Sequence, residues 1–439
     1  MTEPTGPRIM RLMHKYVIEG GHPLKGRIRA NGNKNAALPC VAACLLTSET
    51  VRLTNVPEIE DILVMFEILR DLGSTVVREA PNTFAVTTHD IKKTEIAAEL
   101  AKKVRASILF AGPMLARVGR CVLPPPGGDV IGRRRLDTHF LALSELGARF
   151  EVDTVYTLTA NKLVGLDLFL DEASVTGTEN AIMAAVLAEG KTVIQNAAGE
   201  PHVQDLCHLL IGMGAKIRGI GSNILEIDGV KTLHGTEFRI GADFMEVGSL
   251  IGLAACTRSE LEIEDVQPQH LRMTKLGFAK LGIYWETEGT TLRVPAGQPM
   301  KVVSDLGGQI PKLDDAPWPG FPPDILPIMT VVATQCDGTT LIHDKMFESR
   351  MFWVDKLISM GARIILCDPH RAVVSGAANL QGMELVSPDV RAGMALVIAS
   401  LCAEGRSTIQ NVYQIERGYE DIATRLATLG ARIQRVKLE

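Results

Sequence analysis

Asp205-Leu206-Cys207-His208-Leu209-Leu210-Ile211-Gly212-Met213-Gly214-Ala215 is a helical pattern stopped by a glycine and followed by a β-rich run. A glycine just past the last helical residue is the usual C-terminal stop, because it takes a left-handed backbone without steric cost. The same ending recurs five times, at Leu72-Gly73-Ser74, Leu146-Gly147-Ala148, Leu281-Gly282-Ile283, Met360-Gly361-Ala362 and Leu429-Gly430-Ala431. The spacing between successive glycines runs from 67 to 79 residues. That is longer than the common solenoid periods, so the copies read as small folding units packed in sets.

A second pattern precedes most copies: an Ala-rich helix, a small polar turn, then a strand. Ala181–Gly190 with Thr192–Asn196 shows it, as do Leu250–Ala255 with Leu261–Glu264, Thr330–Gln335 with Thr339–Ile342, and Ala392–Gly405 with Ser407–Asn411. Each unit therefore holds two helices and several short strands. Six units divide into two domains of three, and helices alternating with strands give an α/β or α+β class.

The 439 residues exceed one ordinary core. Apolar residues make up 46% and aromatics only 5%, so the core is expected to be aliphatic and Ala-rich. A net charge of −5 argues against a nucleic-acid binder, and any basic site must be local. The eight cysteines form no CxxC pair, which predicts buried reduced thiols rather than disulfides or zinc. Met1–Tyr16 lacks the apolar core of a signal peptide, and no apolar run is long enough to span a bilayer. The expectation is a cytoplasmic protein with no membrane and no metal.

The chemistry-bearing stretch is Pro124-Pro125-Pro126-Gly127-Gly128-Asp129-Val130-Ile131-Gly132-Arg133-Arg134-Arg135-Leu136-Asp137-Thr138-His139. Asp137 sits where a helix cap belongs, which puts three arginines just before a helix N-terminus. Cations are disfavoured there unless an anion arrives. The stretch reads equally as an anion site beside a carboxyl-bearing arm and as an exposed basic turn. In Asn33-Lys34-Asn35-Ala36-Ala37-Leu38-Pro39, proline belongs in a first turn, so the helix should start near Asn35, with Lys34 at its end. Arg391 follows a cap at Asp389, and Arg105 opens another apolar run. Four cations at helix starts (Lys34, Arg105, Arg134, Arg391) point to a polyanionic ligand. Asp324 and Asp243 each read as an N-cap or as a general base, with the cap the stronger reading of Asp324 from position alone. Glu348 and Arg350 read as an ion pair or a substrate clamp. GxxxxGK[ST], a well-placed GxGxxG, HExxH and GxSxG are absent.

Taken together, Asn33-Lys34-Asn35-Ala36-Ala37-Leu38-Pro39, Pro126-Gly127-Gly128-x-x-Ile131-Gly132-x-Arg134-x-x-Asp137-x-His139, Phe321-Pro322-x-Asp324, Phe347-Glu348-x-Arg350 and Arg417-Gly418-Tyr419-Glu420 resemble the enolpyruvyl transferases. The resemblance covers nearly the whole chain, in order. It implies a two-domain inside-out α/β barrel with six βαβαββ-type repeats, three per domain. Residues 1–33 with 242–439 would form a discontinuous domain, and 34–241 an inserted one carrying a mobile arm around 124–135.

The resemblance also implies a reaction: the 3′-hydroxyl of UDP-N-acetylglucosamine adds to phosphoenolpyruvate and phosphate leaves, with no cofactor. Lys34 and Asn35 would hold phosphoenolpyruvate, and Arg134 and Arg391 its phosphate. Arg105 and the run Arg134, Arg135, Leu136, Asp137 and Thr138 would line the sugar-nucleotide site. Ser174, Val175 and Thr176 would border the uracil, Met346 the sugar, and Arg350 would be a further substrate contact. Asp324 would orient the attacking hydroxyl. Asp129 stands where most of the family has cysteine, and Glu172 where it often has lysine. Two alternatives stay open: an enolpyruvyl transferase for another acceptor, such as shikimate 3-phosphate or a nucleoside, and a non-catalytic sugar-nucleotide-binding homologue.

Overall fold

The computed structural model describes residues 14–127 and 135–438. These fall into two compact units. Of the described residues, one holds 14–30 and 242–438, the other 31–127 and 135–241. The join is visible in one sheet, where strand Lys25–Arg29 pairs in parallel with Glu260–Glu264, so the second unit leaves and re-enters between neighbouring strands.

Among the described residues there are six small sheets, three in each unit, five of them mixed. Strands Asp167–Phe169 and Lys191–Gln195 run parallel, Ile224–Asp228 pairs antiparallel to the second, and Lys216–Arg218 closes the far edge. The same order of one parallel and two antiparallel pairings recurs around Val51–Thr54, Glu260–Glu264, Gly338–His343 and Arg406–Gln410. The sixth sheet, Arg120–Leu123, Tyr156–Thr159 and Arg149–Val152, has three strands, and a single parallel bridge from Glu95 to Val122 stands where the others have a fourth.

The recurring glycine makes the same structure each time. All six take positive φ, between 71° and 111°. In each, the amide after the glycine reaches the carbonyl five residues back, as in Ser74 N to Leu69 O at 2.9 Å and Ala431 N to Leu426 O at 3.1 Å. This satisfies carbonyls that a helix end otherwise leaves unpaired. A second recurring device carries no glycine. Asn55, Asn196 and Asn411 follow the central strands with φ near +57°. Each side-chain amide donates at 2.9 Å to the carbonyl just beyond the parallel neighbour, at Ile240, Leu170 and Ser387.

The core helices explain the composition. They are α1 (Lys34–Ala43), α2 (Asp137–Glu145), α3 (Val175–Ala185), α4 (Phe244–Cys256), α5 (Leu326–Gln335) and α6 (Val390–Cys402). Every residue of α4 is buried, and α5 and α6 are nearly so. Small residues let them approach: a Cβ at Gly252 would sit 2.4 Å from the Ile328 side chain. Four N-termini are capped by their own side chains, from Asn33, Ser174, Asp243 and Asp389. Two sequence expectations fail here. Leu136, not Asp137, occupies the cap position of α2, and Asp137 is its first helical residue. Helix α1 starts at Lys34, so Pro39 lies in its second turn rather than its first.

Gly430 has open space around the position of a Cβ but φ of +94°. Gly430→Ala is therefore expected to destabilise by about 1–2 kcal/mol through backbone strain alone. A urea titration should show an earlier midpoint, and an unchanged midpoint would contradict this account of the helix stop.

Candidate functional site

In the unit containing Ala242–Lys437, three distant segments meet on one carboxylate. Asp324 lies in the single turn Pro323–Ile325. Its Oδ1 receives Arg350 Nη2 at 2.6 Å and its Oδ2 receives Arg391 Nε at 2.9 Å. Asp324 is thus not a helix cap, the reading its position alone favoured. Arg350 turns to Asp324 rather than to its neighbour Glu348, which is exposed, so the local ion pair read from the sequence is replaced by one across 26 residues. Arg391 is the second residue of α6, and its own backbone N–H donates to the Asp389 cap at 2.8 Å.

Both guanidinium groups are almost wholly buried, with side chains 3% and 5% exposed. Burial alone would raise the Asp324 carboxyl, but Arg391 and Arg350 together hold it well below the usual carboxylate range. Arg391 also donates to Met245 Sδ at 3.5 Å and packs over the Tyr419 ring, whose hydroxyl lies 2.9 Å from Ser249 Oγ. Asp243 is a true cap, accepting from Met245 and Glu246. Burial pushes it up to about 6, against the lowering effect of Arg391. Arg350 Nε and Nη1 and Arg391 Nη1 are buried without a hydrogen-bond partner among the described residues. Native proteins leave few buried donors orphaned, so three on two arginines mark unfilled capacity for an acceptor.

Met346 lies in the loop after strand Gly338–His343 and is exposed. Arg417, not singled out from the sequence as a contact, is buried here and donates to Gln414 at 3.0 Å. Its burial could not be read from a short polar segment.

In the Asn31–Gly241 unit, Lys34 opens α1 and is buried, its Nζ 2.7 Å from Asp61 Oδ2. Asn35 follows in the first turn, its N–H bonded to the Asn33 cap. The other residues expected here assemble where α2 and α3 begin. Arg105 Nη2 donates to the Arg135 carbonyl at 3.0 Å, and Arg135 Nε to Asp137 at 2.6 Å. Thr138 Oγ1 donates to Asp171 at 2.7 Å. Ser174 caps α3, and Val175 and Thr176 are its first two residues. Thr176 Oγ1 lies 3.0 Å from Nε2 of the buried His139.

The three described cations of the four read at helix starts each have a partner within the protein. Lys34 has Asp61, Arg391 has Asp324, and Arg105 has a carbonyl. Asp129 and Arg134 lie outside the described residues. Two cavities of about 670 and 520 Å³ surround Arg117 and contain none of these residues. Among the described residues no cluster of three or more His, Cys, Asp or Glu could hold a metal, and no helix is long and apolar enough to cross a membrane.

The model of the EPSP synthase (3-phosphoshikimate 1-carboxyvinyltransferase) family matches residues 18–426. The chain belongs to the enolpyruvyl transferase family. A UDP-N-acetylglucosamine 1-carboxyvinyltransferase of Treponema denticola is 64% identical over 422 residues, covering 96% of this chain and 99% of that one. The Treponema pallidum protein of the same name is 62% identical over 421 residues, covering 96% and 99%. Among solved structures, the enolpyruvyl transferase NikO from Streptomyces tendae superposes with a TM-score of 0.86 at 23% identity, covering 97% of this chain and 100% of that one. At that identity NikO supports the α/β enolpyruvyl transferase fold alone.

Asp324→Asn removes the negative charge between two buried guanidinium groups and should cost about 3 kcal/mol of stability near neutral pH. The folded-state pKa of Asp324 is depressed. Its stabilisation is therefore present above the unfolded value, near 3.9, and is lost as pH falls below it. Urea midpoints of parent and variant should converge at acid pH; a gap that persists unchanged would contradict the assignment.

Proposed function

We propose that this enolpyruvyl transferase transfers the enolpyruvyl group of phosphoenolpyruvate to the 3′-hydroxyl of UDP-N-acetylglucosamine. Phosphate leaves by addition and elimination, in the first committed step of peptidoglycan precursor synthesis. The observation that carries this is identity above 60% over nearly the full length of curated UDP-N-acetylglucosamine 1-carboxyvinyltransferases.

Residue roles follow as part of the same reading. In one unit, Arg391 and Arg350 donate to phosphoenolpyruvate with the guanidinium capacity Asp324 leaves unused. Charge-assisted bonds of this kind contribute roughly 1.5–3 kcal/mol each. Asp324, held ionised, accepts a hydrogen bond from the attacking hydroxyl and orients it. Its low basicity makes it a weak acceptor of a full proton, so orientation is its main role. Met346 contacts the sugar. In the other unit, Lys34 and Asn35 contact phosphoenolpyruvate, while Arg105, Arg135, Leu136, Asp137 and Thr138 line the nucleotide site with Arg134. Ser174, Val175 and Thr176 border the uracil. The two units act as domains, each an inside-out barrel of three βαβαββ repeats, with the arm around 124–135 in the inserted one. The enzyme works in the cytoplasm without a cofactor.

Asp129 supplies the proton to the methylene carbon. A free aspartate has a pKa near 3.9 and is protonated in about one molecule in a thousand at neutral pH. Burial on arm closure and a bound phosphate dianion raise that fraction, so Asp129 is competent only in the loaded state. An aspartate offers no thiolate to an epoxide, which makes the enzyme insensitive to fosfomycin.

Phosphate release from phosphoenolpyruvate should depend on added UDP-N-acetylglucosamine; release with shikimate 3-phosphate alone would favour the other acceptor class, and none with either a binding protein. Asp129→Cys should gain fosfomycin inactivation and a shifted basic limb in its pH–rate profile. A fosfomycin adduct on the parent's Asp129, seen by mass spectrometry, would refute the insensitivity, and superimposable basic limbs would refute the aspartate acid.

A further inference from the structure

Around the start of α3, two backbone groups fix the polarity of a buried side-chain chain. The Gly112 N–H can only donate, so the Asn180 atom 2.9 Å away is the carbonyl Oδ1. The Asn180 amide nitrogen then lies 2.9 Å from the Ile108 carbonyl, which can only accept. Both ends of the amide are therefore assigned. The same nitrogen sits 2.8 Å from His139 Nδ1. It carries protons only, so Nδ1 must be the bare, accepting nitrogen. The imidazole proton is then on Nε2, 3.0 Å from Thr176 Oγ1, and is donated to it.

A protonated imidazole would set donor against donor at Asn180. His139 and Asn180 are buried, and burial together with the nearby Arg105 charge pushes His139 down to about 3. Thr176 Oγ1 thus receives a hydrogen bond, while its own proton has no acceptor among the described residues. The residue is only partly buried, at the N-terminal turn of α3.

We propose that Asn180 and His139 are positioning residues that hold the Thr176 hydroxyl as a hydrogen-bond donor to an acceptor oxygen of the nucleotide's uracil ring. This rests on the reading that Ser174, Val175 and Thr176 border that ring. The chain favours one polarity: the bond from His139 takes one of the two lone pairs of Thr176 Oγ1 and leaves its proton without a partner among the described residues, so an acceptor on the ligand is the better match.

The test is steady-state kinetics on the full chain, with UDP-N-acetylglucosamine varied at saturating phosphoenolpyruvate. Thr176→Val and His139→Phe should each raise KM for the sugar nucleotide about fivefold to tenfold, the loss of one neutral hydrogen bond. Neither should move kcat more than about twofold or change KM for phosphoenolpyruvate, which a general loss of structure would. His139→Gln, whose amide can still donate to Thr176, should recover most of the loss. An unchanged KM in Thr176→Val overturns the proposal.

Should the His139 variants fold poorly, long-range proton–nitrogen NMR of the parent still decides the tautomer, the His139 signals being those that shift in Thr176→Val. A neutral ring protonated on Nε2 at pH 7 supports the chain; a proton on Nδ1 overturns it. A parent that folds but shows no sugar-nucleotide-dependent turnover would instead defeat the functional reading, leaving the tautomer result standing.

Discussion

A single carboxylate between two buried guanidinium groups sets the terms for the Ala242–Lys437 unit. Burying two arginine charges is costly, and one well-placed carboxylate with bonds to both offsets it only in good geometry. Asp324 provides that geometry with one oxygen for each arginine. In doing so it ties a turn before α5, the segment after Gly338–His343 and the first turn of α6 into one arrangement. The arginines are not exhausted by it. Donors are left over on both, while the carboxylate between them is held ionised.

The surrounding scaffold explains why such a cluster can be rigid. Helices α4, α5 and α6 are buried along nearly all their length, and the wide core of small aliphatic residues fixes their axes. Their ends are controlled separately. Side-chain caps from Asp243 and Asp389 set where α4 and α6 begin, and the residues next to those caps include Met245 and Arg391. In the Asn31–Gly241 unit the same logic places Lys34 beside the Asn33 cap and Thr176 beside the Ser174 cap. Helix N-termini in both units therefore carry the polar chemistry.

What the sequence showed and what it hid divide along the same physical line. Local devices were readable. The helix-ending glycines announced six units because only glycine takes that backbone easily, and each formed the same bond pattern. Asp389 capped α6 as its position suggested. Long-range partners were not readable. Nothing near Lys34 names Asp61, and nothing near Arg350 names Asp324, so each cation has a distant partner its neighbourhood does not show and a residue that looked like a cap is a bridge. The misplaced cap at Asp137 is a local miss, since its carboxylate turns to Arg135 two residues back instead of to the helix amides. The Asn55, Asn196 and Asn411 series was legible in principle, each standing directly after a central strand.

Calorimetric titration of phosphoenolpyruvate into the full chain and into Arg391→Lys, with no acceptor sugar nucleotide present so that no turnover occurs, tests the central claim most directly. Lysine keeps a charge beside Asp324 but loses the planar fork that serves a second acceptor. Affinity at least tenfold weaker in the variant, about the loss of one charge-assisted hydrogen bond, is the predicted result. Equal affinity would mean that the spare guanidinium capacity has no part in holding the substrate.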